Sequence, residues 1–98
     1  MENSGLRVAA EYIARISLGC GVPVLLLLSY RGDLGDTEHW SVPHAIVAEP
    51  LLDALRIPHQ VVRQREHLRA AIKRAQRLAE AQLQPVALLI SGDCIWDD

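Results

Sequence analysis

Apolar and polar positions along the chain divide it into six segments of two alternating kinds, beginning with a helix. Asn3 or Ser4 can cap that helix, and Leu6, Ala9, Ala10, Ile13, Ile16 and Ser17 recur at helical spacing until Gly19. Gly21 and Pro23 then lead into residues 22–30, where Val24, Leu25, Leu26, Leu27 and Leu28 stand in a row with no polar alternation. Such a run predicts a strand buried on both faces, as in a parallel sheet covered by helices. Residues 31–48 read as a polar connection, and an irregular segment of that length in a compact domain is usually reserved for function. Glu49 and Pro50 open a short helix over residues 51–55, with Pro50 at an early position where its missing N–H costs nothing, and Pro58 ends it. Residues 59–62 form a short strand. Residues 66–83 form the clearest helix, in which Leu68, Ala71, Ile72, Ala75, Leu78, Ala79 and Leu83 make an apolar stripe at spacings of three and four. Pro85 starts a second apolar run of strand length, residues 86–91, followed by Gly92 and an acidic tail.

Helix, strand, helix, strand, helix, strand is the order of an α/β fold: a parallel sheet with helices on its faces and right-handed crossovers. Three strands make a meagre sheet, and the first helix has no strand before it. Residues 1–98 therefore read as one domain, incomplete at its N-terminal side, whose open sheet edge predicts association or poor stability. Composition agrees with a single small domain. The chain has 98 residues, 50% hydrophobic and 4% aromatic with no Phe, so its core is aliphatic.

Charge narrows the partners. Ten Lys and Arg against twelve Asp and Glu give a net charge of −2, which leaves no general excess to hold a nucleic acid or an anionic membrane. The longest apolar stretch, residues 22–28, falls far short of the roughly 20 residues a spanning helix needs. The N-terminus lacks the basic and apolar regions of a signal peptide, so a soluble, cytoplasmic protein is expected. Six of the ten basic residues (Arg63, Arg65, Arg69, Lys73, Arg74 and Arg77) cluster together. Glu66 and Glu80 interrupt them and no aromatic is interleaved, which favours a solvated helix face over a nucleic-acid surface. Cys20 precedes the first strand and Cys94 follows the last. Parallel strands put them about 20 Å apart, beyond the roughly 7 Å between Cα atoms that a disulfide allows, so two free thiols are expected.

In open parallel sheets, ligands bind beyond the carboxyl ends of the strands. Three segments converge there: Ser29, Tyr30, Arg31, Gly32 and Asp33 after the first strand, Ser91, Gly92 and Asp93 after the last, and Asn3, Ser4 and Gly5 at a helix N-terminus. Backbone N–H groups at such a terminus can hold a phosphate, sulfonate or carboxylate, or these segments are ordinary caps and turns. Arg31 emerges at the same edge, where it either grips an oxyanion or pairs with Asp33 or Asp36 on its own loop. His39 and His44 lie near Asp33, Asp36 and Glu38, but their spacing matches no metal-ligand pattern. Either His could transfer a proton, and nothing local singles one out. No residue can be assigned as catalytic from the pattern. Trp40 and Trp96 lie outside the strands, Trp96 being the better interface candidate.

Asn3-Ser4-Gly5-Leu6 opening a helix, the run from Pro23 through Leu28 to Ser29-Tyr30-Arg31-Gly32 with Gly35 after it, Pro50-Leu51-Leu52-Asp53-Ala54-Leu55, and Pro85-Val86-Ala87-Leu88-Leu89-Ile90 together resemble the pyrimidine-binding domain of thiamine-diphosphate-dependent decarboxylases. Within that family the resemblance is to the sulfopyruvate decarboxylase alpha subunit and phosphonopyruvate decarboxylase, over nearly the whole chain. It implies a partial pyrimidine-binding domain that shares thiamine diphosphate with a diphosphate-binding subunit or domain, on which Mg²⁺ is expected, in a homo- or hetero-oligomer. It further implies a 2-oxo acid substrate bearing a sulfonate or phosphonate, with Asn3, Ser4 and Gly5 near the cofactor and Arg31 and Gly32 near the substrate. The family's catalytic glutamate lies upstream of the Asn-Ser-Gly element, and no glutamate here matches it. Ser41-Val42 stands where phosphonopyruvate decarboxylases tend to carry Gln-His, and Val42-Pro43 is closer to the sulfopyruvate type. The family's Gly-Asp-Gly diphosphate signature is absent, and Ser91-Gly92-Asp93-Cys94 does not replace it. The resemblance therefore leaves two expectations: a subunit or fragment active only with a partner, or a non-catalytic interaction or regulatory remnant of the fold.

Overall fold

The second aliphatic run becomes the centre of the sheet. The structure, a computed structural model, describes residues 1–2, 4–31 and 42–94. Its elements are α1 (Ser4–Tyr12), continued by a π-helical stretch (Ile13–Leu18), then β1 (Val24–Ser29), α2 (Val42–Ala54), β2 (His59–Val62), α3 (Arg65–Gln82), β3 (Pro85–Ile90) and a 3₁₀ turn (Gly92–Cys94). The sheet is parallel in the order β1-β3-β2. Leu27 lies opposite Leu88 across β1 and β3, and Gln60 lies opposite Leu88 from the other side. The expected α/β architecture, a parallel sheet with helices on its faces, is therefore what forms.

From β1 the chain passes over the place of β3 to reach β2, then reverses to form β3. With crossovers of one hand, that reversal sends α2 and α3 to opposite faces. Leu6 and Ile13 of the first helical segment and Ala48 and Leu52 of α2 pack with Leu26, Leu28, Ala87 and Leu89 on one face. Ala71, Ala75 and Ala79 of α3 pack with Val62, Val86 and Leu88 on the other. Small alanines on the buried stripe of α3 let the helix lie close over the sheet.

Two expectations change. The polar connection does not reach Ala48, and Pro50 does not sit near the start of its helix: α2 already runs from Val42 and holds Pro50 in its interior. A proline there removes a backbone hydrogen bond and costs about 3 kcal/mol. Ala48 and Leu52, buried, with Leu51 and Leu55 packed beside them, offset it by burying a continuous apolar side. The second change concerns β1, which is fully buried on one face and only partly on the other, where Leu25 packs against the α3 cluster. Leu26 and Leu28 are inside while Leu27 is 41% exposed, because β1 is an edge strand. That edge is in part covered: Glu2 forms a parallel bridge with Ser29, the Met1 ammonium donates to Leu27 O at 2.7 Å, and Ser29 N–H donates to Met1 O at 2.7 Å.

Both cysteines are free thiols as expected, Cys20 exposed and Cys94 buried. Gly21 turns into β1 at φ 70°, a left-handed value that glycine adopts without strain. Among the described residues, no helix is long and apolar enough to cross a membrane.

Candidate functional site

Adjacent parallel strands whose continuations leave toward opposite faces open a crevice at their carboxyl ends. β1 and β3 meet that condition. The chain leaves β1 for α2, whereas after β3 it turns under α3, where the Cys94 thiol donates to Val62 O at 3.3 Å and Arg65 Nε donates to Cys94 O at 2.9 Å. At the mouth, Tyr30 N–H donates to Ile90 O at 2.9 Å and holds the two exits side by side. Ser91 is 1% exposed, its N–H donating to Val62 O at 2.9 Å and its carbonyl accepting from Cys94 N–H at 3.0 Å.

Residues 1–2 bring α1 to the same place. Glu2 pairs with the end of β1, and its carbonyl accepts from Gly5 N–H at 2.9 Å, so the first turn of α1 starts directly beside Ser29. A Cβ added at Gly5 would lie 2.9 Å from Met1 Sδ, so glycine lets the Met1 side chain lie against that turn. Arg31 leaves β1 alongside, its N–H donating to Ser29 O at 3.1 Å and its Nη1 lying 3.3 Å from Glu2 Oε1. The described members of the three expected segments thus converge at one end of the sheet. Arg31 pairs with a carboxylate that sequence reasoning did not consider. Asn3 and Gly32, together with Asp33, Asp36, His39, Trp40 and Trp96, lie outside the described residues. His44 sits between helices, where Arg7 Nη2 donates to its Nδ1 at 2.8 Å.

A polar chain under α2 was also missed. The Tyr30 hydroxyl donates to Glu49 Oε2 at 2.9 Å, and Glu49 Oε1 lies 3.5 Å from His59 Nε2, which is 3.8 Å from Asp53 Oδ1. His59 Nδ1–H donates to Ile57 O at 3.0 Å. With Glu49 read as a helix start rather than as a mid-helix residue facing the sheet, nothing in the spacing tied it to Tyr30.

Chemically, the crevice offers helix-terminal backbone and one guanidinium, a donor set suited to an anion. The Arg31–Glu2 pair is partly solvated, and such pairs are worth about 0–1 kcal/mol, so an incoming anion can displace Glu2 at little cost. Among the described residues, no group of three His, Cys, Asp or Glu could hold a metal ion. These residues fit the organic and anionic parts of a cofactor or substrate.

The chain matches no protein-family model. It aligns with sulfopyruvate decarboxylase subunit alpha of Methanocaldococcus jannaschii at 34% identity over 92 residues, and with that of Methanococcus maripaludis at 29% over 92 residues, each covering 94% of this chain. The chain is similar to sulfopyruvate decarboxylase alpha subunits. It spans about half the length of these relatives, 54% and 55%. Neither is a phosphonopyruvate decarboxylase, so the likeness falls on the sulfopyruvate side of the resemblance that the residues carry.

Proposed function

We propose that this chain is a subunit, or part of one, of a cytoplasmic thiamine-diphosphate-dependent 2-oxo acid decarboxylase of the sulfopyruvate type, working only in a homo- or hetero-oligomer with a diphosphate-binding subunit or domain. The observation that carries the reading is the meeting of Arg31 with the first turn of α1 at the β1/β3 crevice, in a chain similar to alpha subunits of that enzyme. When bound, thiamine diphosphate supplies an electron sink for the carbon–carbon bond that breaks. Asn3, Ser4 and Gly5 would line its aminopyrimidine side, while Arg31 and Gly32 would orient the substrate by its sulfonate, Arg31 exchanging Glu2 for that anion. Mg²⁺ and the diphosphate would be held by the partner.

The test is calorimetric titration of thiamine diphosphate into the chain alone and into the chain coexpressed with a diphosphate-binding subunit, followed by carbon dioxide release from sulfopyruvate and from phosphonopyruvate. Binding only with the partner, and faster turnover of sulfopyruvate, is the expected result. Arg31→Ala should then raise KM by about tenfold or more, the loss of one charge-assisted contact, with a smaller change in kcat. Absence of cofactor binding in both preparations overturns the reading.

One observation favours a second reading, a non-catalytic interaction or regulatory remnant of the fold: Arg31 is already engaged by Glu2 at 3.3 Å. A homo-oligomer that buries the β1 edge and shields Arg31 from modification by phenylglyoxal would support it over the first.

A further inference from the structure

A second cleft lies at the other end of the sheet, between the edge strand β2 and α3. Its volume is about 310 Å³, and Gln60, Arg74, Ala75, Leu78, Val86 and Leu88 are among the residues lining it. Side chains alternate along a strand, so Gln60 faces α3 with Val62, which packs against it. The backbone shows the complementary alternation. Pro58 O accepts from Ala87 N–H and Val62 O from Ser91 N–H, so the even-numbered residues of β2 bond to β3, and the N–H and C=O groups of His59 and Val61 point away from the sheet. An open strand edge beside an apolar cleft under a helix is the geometry that accepts an added extended peptide: the ladder supplies affinity and the cleft takes alternate side chains.

Charge identifies the kind of peptide. Six of the chain's ten basic residues and only two of its twelve acidic ones fall within residues 57–83. Arg74 lines the cleft. Arg69, Lys73, Arg74 and Arg77 are exposed on α3, and none of them forms an ion pair among the described residues. The residues lining the cleft include no Phe, Tyr or Trp on which a nucleobase could stack, the His59 ring is turned to Glu49 and Asp53, and the outward groups at β2 are those of a strand edge. We propose that the β2 edge and the α3 cleft bind an extended acidic segment of a partner protein, pairing with Val61, placing an apolar side chain against Ala75 and Leu78 and a carboxylate on Arg74. This site is separate from the β1/β3 crevice, and its test does not depend on decarboxylase activity.

The probe is a fluorescein-labelled, end-capped peptide of about eight residues, a typical strand length, alternating Glu with Val or Leu, titrated with the full chain by anisotropy. Saturable binding is expected, weakening about tenfold as salt rises from about 50 to about 300 mM. Replacing Glu by Gln in the peptide, Arg74→Glu and Val61→Pro should each weaken it about tenfold or more. Val61→Pro removes an outward N–H and no bond to β3, a position where an edge strand tolerates proline. Should that variant fail to fold, amide exchange of the unsubstituted protein decides: the peptide must slow exchange at Val61. Equal binding of the Gln peptide, unchanged exchange at Val61, or binding of an oligothymidylate of equal charge in place of the peptide overturns the proposal. So does a concentration-dependent dimer that Val61→Pro dissolves, which would assign the edge to a second copy of the chain.

Discussion

β1 and β3 are written in nearly the same alphabet, Val-Leu-Leu-Leu-Leu-Ser against Pro-Val-Ala-Leu-Leu-Ile, and are paired residue for residue along their whole length. Their surroundings differ. β3 has a strand on each side and a helix on each face, so its first five residues are all buried. β1 has β3 on one side and, among the described residues, Met1 and Glu2 on the other, so its cover is uneven, with Leu28 fully buried, Leu25 half-buried and Leu27 41% exposed. An unbroken aliphatic run marks a strand covered on both faces, but how much cover each residue receives depends on its rank in the sheet, and rank is not written in the strand itself.

Substitutions can break or sharpen that contrast. Leu89→Ala, at the fully buried centre of β3, should cost about 3 kcal/mol, the transfer loss plus a cavity that neighbours on both sides cannot fill. Urea denaturation measures it, and a cost below about 1 kcal/mol would mean that β3 is not the packed centre. Next is Tyr30→Phe, which removes the hydroxyl donating to Glu49 where β1 meets α2. A hydrogen bond to a charged group contributes about 1.5–3 kcal/mol, and the partial exposure here puts the expected loss at the lower end. Leu27→Lys, on the open side of β1, should change stability by no more than about 0.5 kcal/mol. The same change should lower any self-association seen by sedimentation, since lysine on an exposed edge disfavours pairing; a large destabilisation would show that Leu27 is covered after all. Smallest, and of opposite sign, is Leu83→Gly. Leu83 caps α3 in the left-handed region at φ 54° with its N–H on Ala79 O, and glycine there should raise the thermal midpoint by a few degrees, about 0.5–1 kcal/mol.

Legibility followed the same division. α3 and β2 could be read almost to the residue, because the apolar stripe from Leu68 to Ala79 at spacings of three and four, and a short apolar pair between Pro58 and Arg63, are local signals; Leu83, expected as the last member of that stripe, is instead half-exposed and caps the helix in the left-handed region. α2 could not: Pro43 and Pro50 are local signs of a loop and a helix start, and only burial of Ala48 and Leu52 against the sheet overrides them. For the candidate site, the convergence of the α1 turn, Arg31 and the exit of β3 followed from the parallel topology. The partner of Arg31 did not, since Glu2 reaches it across 29 positions of sequence. The Tyr30, Glu49 and His59 chain was hidden for the same reason, as its members are brought together by α2 lying over the sheet.

By itself, then, the amino-acid sequence determined the alternation of helix and strand, the parallel sheet it implies, and the end of that sheet at which the α1 turn, Arg31 and the exit of β3 meet. These depend on periodicity, turn residues and the hand of crossovers, all of which act over a few residues or one connection. The tertiary structure decided that β3 and not β1 is the central strand, that Pro50 lies inside a helix, that Arg31 holds Glu2, and that β2 presents an open edge beside a basic helix. Each of those depends on which distant segments come to share a surface, where burial of several side chains together outweighs the preference of any one residue.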